Sequence, residues 1–189
     1  MKPSPGFPRR PTPLEIQAAA GRTVEDVIAP NLKVLFCGIN PGLYTAAIGH
    51  HFGRPGNRFW PVLYAAGITP RLFSPYEERE LLTFGYGITN IVVRATATAA
   101  ELTREELLSG GKALEEKVQF YKPGILAILG LSAYRAAFRF QKAKIGPQDH
   151  FISGAQVWAL PNPSGLNAHY QLAELGNLFH ELKKAVERN

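Results

Sequence analysis

Short apolar strands alternate with amphipathic helices along most of this 189-residue chain, and this alternation constrains its fold more than any other feature. Residues 34–37 and 124–130 are apolar throughout, which is typical of strands that are buried on both faces. Residues 87–93 and 155–161 are further strand candidates. Because strands separated by helices form parallel sheets covered on both faces, the sequence predicts a three-layer α/β/α domain with a central, mainly parallel sheet.

Periodicity and capping residues locate the helices between these strands. Apolar residues recur at helical spacing in residues 56–67. Ser74 followed by proline predicts a helix start, and Thr103 with Glu106 forms a capping box at the start of another helix. The Gly110-Gly111 pair inside that last helix predicts a kink or a break.

The first thirteen residues, "MKPSPGFPRRPTP", contain five prolines and two adjacent arginines. Such a segment neither pairs as a strand nor continues as a helix, so we expect residues 1–22 to form a disordered basic arm, with a short helix in residues 14–22. Residues 23–189 then form a single domain. The net charge of +6 favours nucleic acid as a partner, although the arm carries about half of that excess.

Several site types have no support in the sequence. The single cysteine, Cys37, excludes a disulfide framework and a multi-cysteine metal site, and it fits a cytoplasmic protein, associated with the nucleoid in a bacterium. The adjacent His50 and His51 lack metal-ligand spacing, and no phosphate-binding loop, dinucleotide fingerprint or nucleophile elbow is present. We therefore expect no metal and no cofactor. No apolar stretch predicts a membrane span or a secretory signal.

Polar turn-forming residues follow the predicted strands at four places: residues 40–42, Thr89 with Asn90, residues 162–167 and the long loop 49–60. Each alone is also typical of an ordinary turn. Together they predict a site, because ligands of such sheets bind beyond the carboxyl ends of the strands.

These residues supply neutral amides, glycine backbone, histidine and an aromatic ring. Such groups suit a reaction that needs little proton removal, such as cleavage of a bond to a planar heterocycle that leaves as a stabilised anion. Asn40 has an amide oxygen that could hold an attacking water, although a carboxamide is a poor general base.

Four blocks carry a resemblance to a known family: "GINPG" (38–42), "GHHFGRPGNRFW" (49–60), "GITNIVVR" (87–94) and "NPSGL" (162–166). In this order and spacing, the chain over residues 24–187 resembles the mismatch-specific uracil/thymine-DNA glycosylases of the uracil-DNA glycosylase superfamily. The resemblance implies the fold of that superfamily and a cofactor-independent hydrolase of base excision repair. That enzyme would remove uracil, thymine or ethenocytosine opposite guanine from duplex DNA and leave an abasic site.

The resemblance also implies residue roles in the base pocket. Asn40 matches the asparagine that positions the attacking water, and Phe52 matches the ring that stacks on the flipped base. The other implied pocket residues are Ile39, Gly42, His51 and Asn90. We expect Asn57 and Arg58 to have a structural role, ordering the loop and the start of the helix that follows.

The block from Asn162 to Asn167 matches the part of the family that enters DNA. Leu166 corresponds to the wedge that fills the space of the extruded base, which costs a few kcal/mol to remove from the stack. The resemblance assigns the remaining residues of the block to the turn, the phosphate and the orphaned guanine: Asn162, Pro163, Ser164, Gly165 and Asn167. Ala168 departs from the family, which commonly has arginine at that position.

Three alternatives remain open from the sequence. The chain could be a glycosylase for the deaminated purines hypoxanthine and xanthine, a mismatch-binding module that does not cleave, or a hydrolase of free nucleosides. The interpretation we favour is a monomeric, monofunctional glycosylase whose partner is double-stranded DNA that contains a mispaired or damaged base.

Overall fold

The computed structural model describes residues 9–188, and the strands in that range form one five-stranded sheet. The strands are β1 (Val34–Gly38), β2 (Tyr86–Asn90), β3 (Ile125–Leu129), β4 (Gly146–Ile152) and β5 (Ala155–Leu160). Their order across the sheet is β2-β1-β3-β5-β4, and only the edge strand β4 runs antiparallel to its neighbour. The predicted mainly parallel sheet is confirmed.

Helices cover both faces of this sheet. The helices in the described range are α1 (Pro13–Gln17), α2 (Leu43–Ile48), α3 (Phe59–Ala65), α4 (Arg104–Tyr121), α5 (Leu131–Phe138) and α6 (Leu172–Arg188), with 3₁₀ helices at Pro75–Phe84 and Ala99–Glu101. Alternate residues of β1 enter two separate cores, as the pleat of a strand requires: Phe36 packs on the side of α3 and α6, and Leu35 packs on the side of α4 and α5. The predicted three-layer α/β/α architecture is therefore confirmed.

The glycine pair in α4 does not interrupt the helix, so the predicted kink or break is wrong. Instead each glycine permits close packing against a different neighbour, the segment after β2 for Gly110 and α5 for Gly111. A Cβ on Gly110 would lie 2.3 Å from the carbonyl oxygen of Ile91, and a Cβ on Gly111 would lie 2.7 Å from that of Ala137. The pair is explained by tertiary packing rather than by helix termination.

The packed part of the chain begins closer to the N-terminus than the sequence predicted. Of the expected arm, residues 1–8 lie outside the described range, but α1 begins with a capping box at Thr12, and Ala19 is fully buried. The N–H of Gly21 donates to the Ala95 carbonyl at 2.9 Å, and the N–H of Ala95 donates to the Arg22 carbonyl at 2.8 Å. The folded body therefore extends ahead of the predicted start at residue 23.

Three elements, α2, β4 and a 3₁₀ helix at Ala99–Glu101, had no counterpart in the sequence prediction. Helix α2 is only six residues long, too short for a clear hydrophobic period. Strand β4 contains Pro147 and polar residues, which are tolerated because it lies at the edge of the sheet. Within residues 9–188, no helix combines the length and the apolar character that crossing a bilayer requires.

Candidate active site

The carboxyl ends of β1 and β2 and the loop after β5 surround a cavity of about 360 Å³. Ten of the twelve predicted site residues line it: Ile39, Asn40, Gly42, His51, Phe52, Asn90, Asn162, Ser164, Leu166 and Asn167. The two others, Pro163 and Gly165, lie in the same loop but do not line the cavity. The four sequence blocks thus converge at one edge of the sheet, although they are up to about 120 residues apart in the chain.

Three acceptors hold the side-chain amide of Asn40 in one orientation. Its Nδ2 donates to Thr96 Oγ1 at 2.7 Å, to the Arg94 carbonyl at 3.0 Å and to the Pro41 carbonyl at 3.2 Å. Because acceptors surround this atom, it must be the nitrogen of the carboxamide. Among residues 9–188, no side chain or backbone group donates to Oδ1, so the oxygen is the atom of Asn40 that can accept a hydrogen bond from a ligand.

The loop after β2 provides the main anchor for Asn40. Thr96 is only 2% exposed, and its hydroxyl donates to the Thr98 carbonyl at 2.8 Å, which leaves the oxygen lone pairs to accept from Asn40. Arg94 forms a two-point ion pair with Glu106 in α4 and thereby fixes the same loop. Hydrogen bonding to Arg94 and to the Thr103 backbone lowers the pKa of Glu106 to about 2, so the pair stays ionised at neutral pH.

An aromatic ring forms one wall of the cavity. Phe52 stacks on Phe59 with ring centroids 4.0 Å apart and an angle of 24° between the planes. The backbone of Phe52 is in the left-handed region with φ +53°, which is costly for an aromatic residue and persists only where the surroundings enforce it. Since Phe59 is fully buried at the start of α3, the core determines where the Phe52 ring lies.

His51 and Asn90 form a buried hydrogen-bonded pair at the base of the cavity. His51 Nε2 lies 3.0 Å from the Glu25 carbonyl, which can only accept, so the ring proton must be on Nε2. His51 Nδ1 then accepts from Asn90 Nδ2 at 3.5 Å. Burial lowers the pKa of His51, although Glu78 opposes the effect, so the imidazole is neutral at pH 7. His51 is therefore not an imidazolium that could act as a general acid at pH 7.

Gly38, at the end of β1, allows Asn90 and Phe52 to approach each other. A Cβ at this position would lie 2.5 Å from Asn90 Oδ1 and 3.4 Å from Phe52 Cζ. Asn90 Oδ1 therefore lies beside the end of the aromatic ring, over the glycine backbone. With its Nδ2 directed at His51, Asn90 presents an acceptor to the cavity.

The loop from Asn162 to Asn167 forms a compact turn with an apolar tip. The Asn162 side chain accepts from the Ser164 N–H at 3.0 Å, and the Asn167 side chain donates to the Asn162 carbonyl at 3.0 Å. Leu166 at the tip is 72% exposed and also lines the cavity. A leucine this exposed at the tip of a hydrogen-bonded turn is not part of the hydrophobic core of residues 9–188.

Ten cavity residues were not assigned a role in the base pocket or in DNA contact from the sequence, although several of them lie within the predicted segments. These are Gly38, Pro41, Thr45, Arg54, Asn57, Thr96, Ala97, Thr98, Ala99 and Leu129. The loop 96–99 could have been found, because it follows β2 at the edge where the other blocks end. In the described part of the chain, no group of three or more His, Cys, Asp or Glu side chains is arranged to hold a metal ion.

Comparison with known proteins gives two findings. The family model described as the uracil DNA glycosylase superfamily matches residues 25–187, which is most of the chain. A solution NMR structure of a Methanosarcina acetivorans protein, described as a candidate uracil DNA glycosylase, is similar with a TM-score of 0.59. The match covers 86% of this chain and 98% of that chain at 18% sequence identity, which demonstrates a shared fold alone.

Proposed function

This chain belongs to the uracil DNA glycosylase superfamily, and from that membership and the geometry of the cavity we propose that it excises uracil mispaired with guanine from duplex DNA. The proposed activity is hydrolysis of the N-glycosidic bond by a monofunctional glycosylase, which leaves an abasic site. Thymine and ethenocytosine opposite guanine are candidate further substrates.

Asn40 is proposed to hold the attacking water through Oδ1. The C1′–N1 bond breaks first, its electron pair leaves with the uracil as an anion, and the sugar becomes oxocarbenium-like. The water then adds to C1′ and releases its proton to solvent, so no strong general base is needed. The three acceptors on Asn40 Nδ2 support this role, because they leave only the oxygen for the water.

Asn90 is proposed to read the flipped base. Uracil carries a donor at N3, whereas cytosine carries an acceptor there, and Asn90 Oδ1 can only accept. Because Asn90 Nδ2 is directed at neutral His51, the amide is not free to invert and offer a donor to cytosine. The Phe52 ring, 3.4 Å from the position of a Gly38 Cβ, would support the base by stacking.

Leu166 is proposed to enter the base stack as the uracil leaves. A G·U mispair is opened more easily than a matched pair, which favours mispaired substrates. The exposed apolar tip of the turn supports this role. Ser164 is the candidate phosphate contact, with Gly165 and Asn167 facing the orphaned guanine.

One observation carries the proposal: an oriented carboxamide, an aromatic wall and an exposed leucine border the same cavity. The test is release of free uracil from single-lesion duplex oligonucleotides under single-turnover conditions. We expect excision from G·U, and slower excision from A·U. A complete lack of release from G·U, G·T and ethenocytosine substrates at large enzyme excess would refute the proposal. Excision of hypoxanthine or xanthine but not uracil would favour the purine alternative.

A further inference from the structure

Arg58 joins the two loops that border the cavity. Its Nη2 donates to the carbonyls of Ser164 and Asn167 at 2.5 Å and 2.9 Å, and its Nη1 donates to the carbonyl of Tyr170. The backbone N–H of Arg58 also donates to the Pro163 carbonyl at 2.9 Å. One residue at the start of α3 therefore binds four carbonyl groups of the segment 162–170, which we call the wedge loop.

The charge of Arg58 is not neutralised by an acid. No carboxylate among residues 9–188 forms an ion pair with its guanidinium, and its buried Nε has no hydrogen-bond partner there. Within residues 9–188, backbone carbonyls alone hold the guanidinium. Its planar fork suits this task, because it directs several N–H groups to fixed points at once, whereas a lysine ammonium is a compact charge on a flexible stem.

The wedge loop also contacts the loop 49–58, which we call the pocket loop, backbone to backbone. A Cβ on Gly165 would lie 2.4 Å from the carbonyl oxygen of Gly56, so only glycine fits there without displacing one of the loops. The pocket loop carries Phe52, Arg54 and Asn57, which line the cavity. The wall for the flipped base and the tip that carries Leu166 are therefore parts of one connected unit.

We propose that Arg58 is a positioning residue that holds the wedge loop in the shape needed to insert Leu166 into DNA, and that it thereby couples insertion to capture of the base in the pocket loop. This inference rests on the proposed function. It assigns to Arg58 a role in base extrusion beyond ordering its own loop and helix start. Arg58 acts through Leu166 and does not touch the reacting atoms.

The test is a double-mutant cycle between Arg58→Lys and Leu166→Ala, measured as single-turnover excision from a G·U duplex. We expect Arg58→Lys to lower the excision rate at least tenfold. If Arg58 acts through Leu166, the double variant should lose little more than the worse single variant. Losses that multiply would show that the two residues act independently and would overturn the inference.

Arg135→Lys is the matched control. Arg135 also holds a loop by donating from Nε and Nη2 to a backbone carbonyl, that of Ala143, but it does not line the cavity. We expect this variant to keep excision within about twofold of wild type. An Arg58→Lys variant that is as active as Arg135→Lys would overturn the inference while leaving the proposed function intact. A wild-type protein that releases no uracil would overturn the proposed function instead.

Gly165→Ala tests the same arrangement if Arg58→Lys fails to fold. It retains the guanidinium but forces the wedge loop away from Gly56. Because Gly165 is exposed, we expect the variant to fold and to lose excision from G·U duplex at least tenfold, again without a multiplied loss when combined with Leu166→Ala. Unchanged excision by Gly165→Ala would contradict the proposed need for a fixed wedge loop.

Discussion

At the scale of single residues, the site depends on the orientation of one amide. A carboxamide can present either an oxygen or a nitrogen to a ligand, and the two ends differ little in shape. In this protein the Thr96 hydroxyl, the Arg94 carbonyl and the Pro41 carbonyl determine which end of Asn40 remains available. The chemistry of the site is therefore set partly by the residues that hold Asn40 rather than by Asn40 alone.

Thr96→Val tests this orientation, since it removes the hydroxyl and nearly preserves the shape of the side chain. We expect single-turnover excision from G·U duplex to fall about fivefold, as for loss of one hydrogen bond worth ~1 kcal/mol, with duplex binding unchanged. Thr96→Ser, which retains the hydroxyl, should keep most of the activity. Equal activity of the valine variant and wild type would contradict the anchoring role.

A pH dependence follows from His51. Burial holds the pKa of His51 below its ordinary value of 6.5, so the unfolded chain takes up a proton at a higher pH than the folded protein. The folded protein should therefore lose stability as the pH falls below about 6.5 toward the lowered pKa. Protonation of folded His51 also removes the acceptor at Nδ1 for Asn90, so excision should fall at the acidic end of this range, around the lowered pKa of His51.

The measurement for His51 is the melting temperature and the excision rate between pH 8 and pH 5, for wild type and for His51→Gln. We expect wild type to lose more stability on acidification than the glutamine variant, which cannot titrate. Identical pH profiles for the two proteins would show that another group is responsible.

At the scale of elements, glycines decide how closely helices and loops approach. Gly110 in α4 faces the Ile91 carbonyl directly after β2, and Gly165 faces Gly56 between the two loops. In isolation, a glycine inside a helix lowers its stability relative to alanine by up to ~1 kcal/mol. The close contact of Gly110 in the folded protein explains why glycine occupies this position despite its lower helix propensity.

The direction in which Gly110→Ala changes the melting temperature distinguishes the effect of helix propensity from that of close packing. Helix propensity alone would raise the melting temperature, but the new Cβ would lie 2.3 Å from the Ile91 carbonyl oxygen. We expect a net loss of ~1–3 kcal/mol and therefore a lower melting temperature by calorimetry. Ser109→Ala, at the adjacent exposed position, is the control. We expect it to leave the melting temperature unchanged or slightly raised. A stabilised Gly110→Ala would contradict the packing argument.

Much of the element pattern could be predicted from the sequence, and the failures have physical causes. An unbroken apolar run predicts a buried strand such as β3, and the capping box at Thr103 predicts the start of α4. The role of Gly110 could not be predicted, because a close approach to Ile91 exists only after the sheet has formed. Strand β4 lacks a clear pattern because an edge strand is largely exposed.

At the scale of the whole molecule, the parallel sheet brings distant segments to one edge. The residues after β1, β2 and β5 meet at the cavity because the carboxyl ends of parallel strands lie together. Ten of the twelve predicted residues line this cavity, so the convergence of these segments could be predicted without a structure. The hydrogen bond from Asn40 to Thr96 and the contacts of Arg58 with the wedge loop could not be predicted, because both depend on side-chain directions that no linear pattern encodes.

The most direct test of the proposed function is single-turnover excision from a G·U duplex by Asn40→Ala, with duplex binding measured on the same preparation. We predict that excision falls by at least two orders of magnitude while binding stays within about twofold of wild type. Asn177→Ala, an exposed substitution on α6, should change neither quantity. An Asn40→Ala variant that excises uracil at the wild-type rate, or that loses binding and excision equally, would contradict a water held by Asn40.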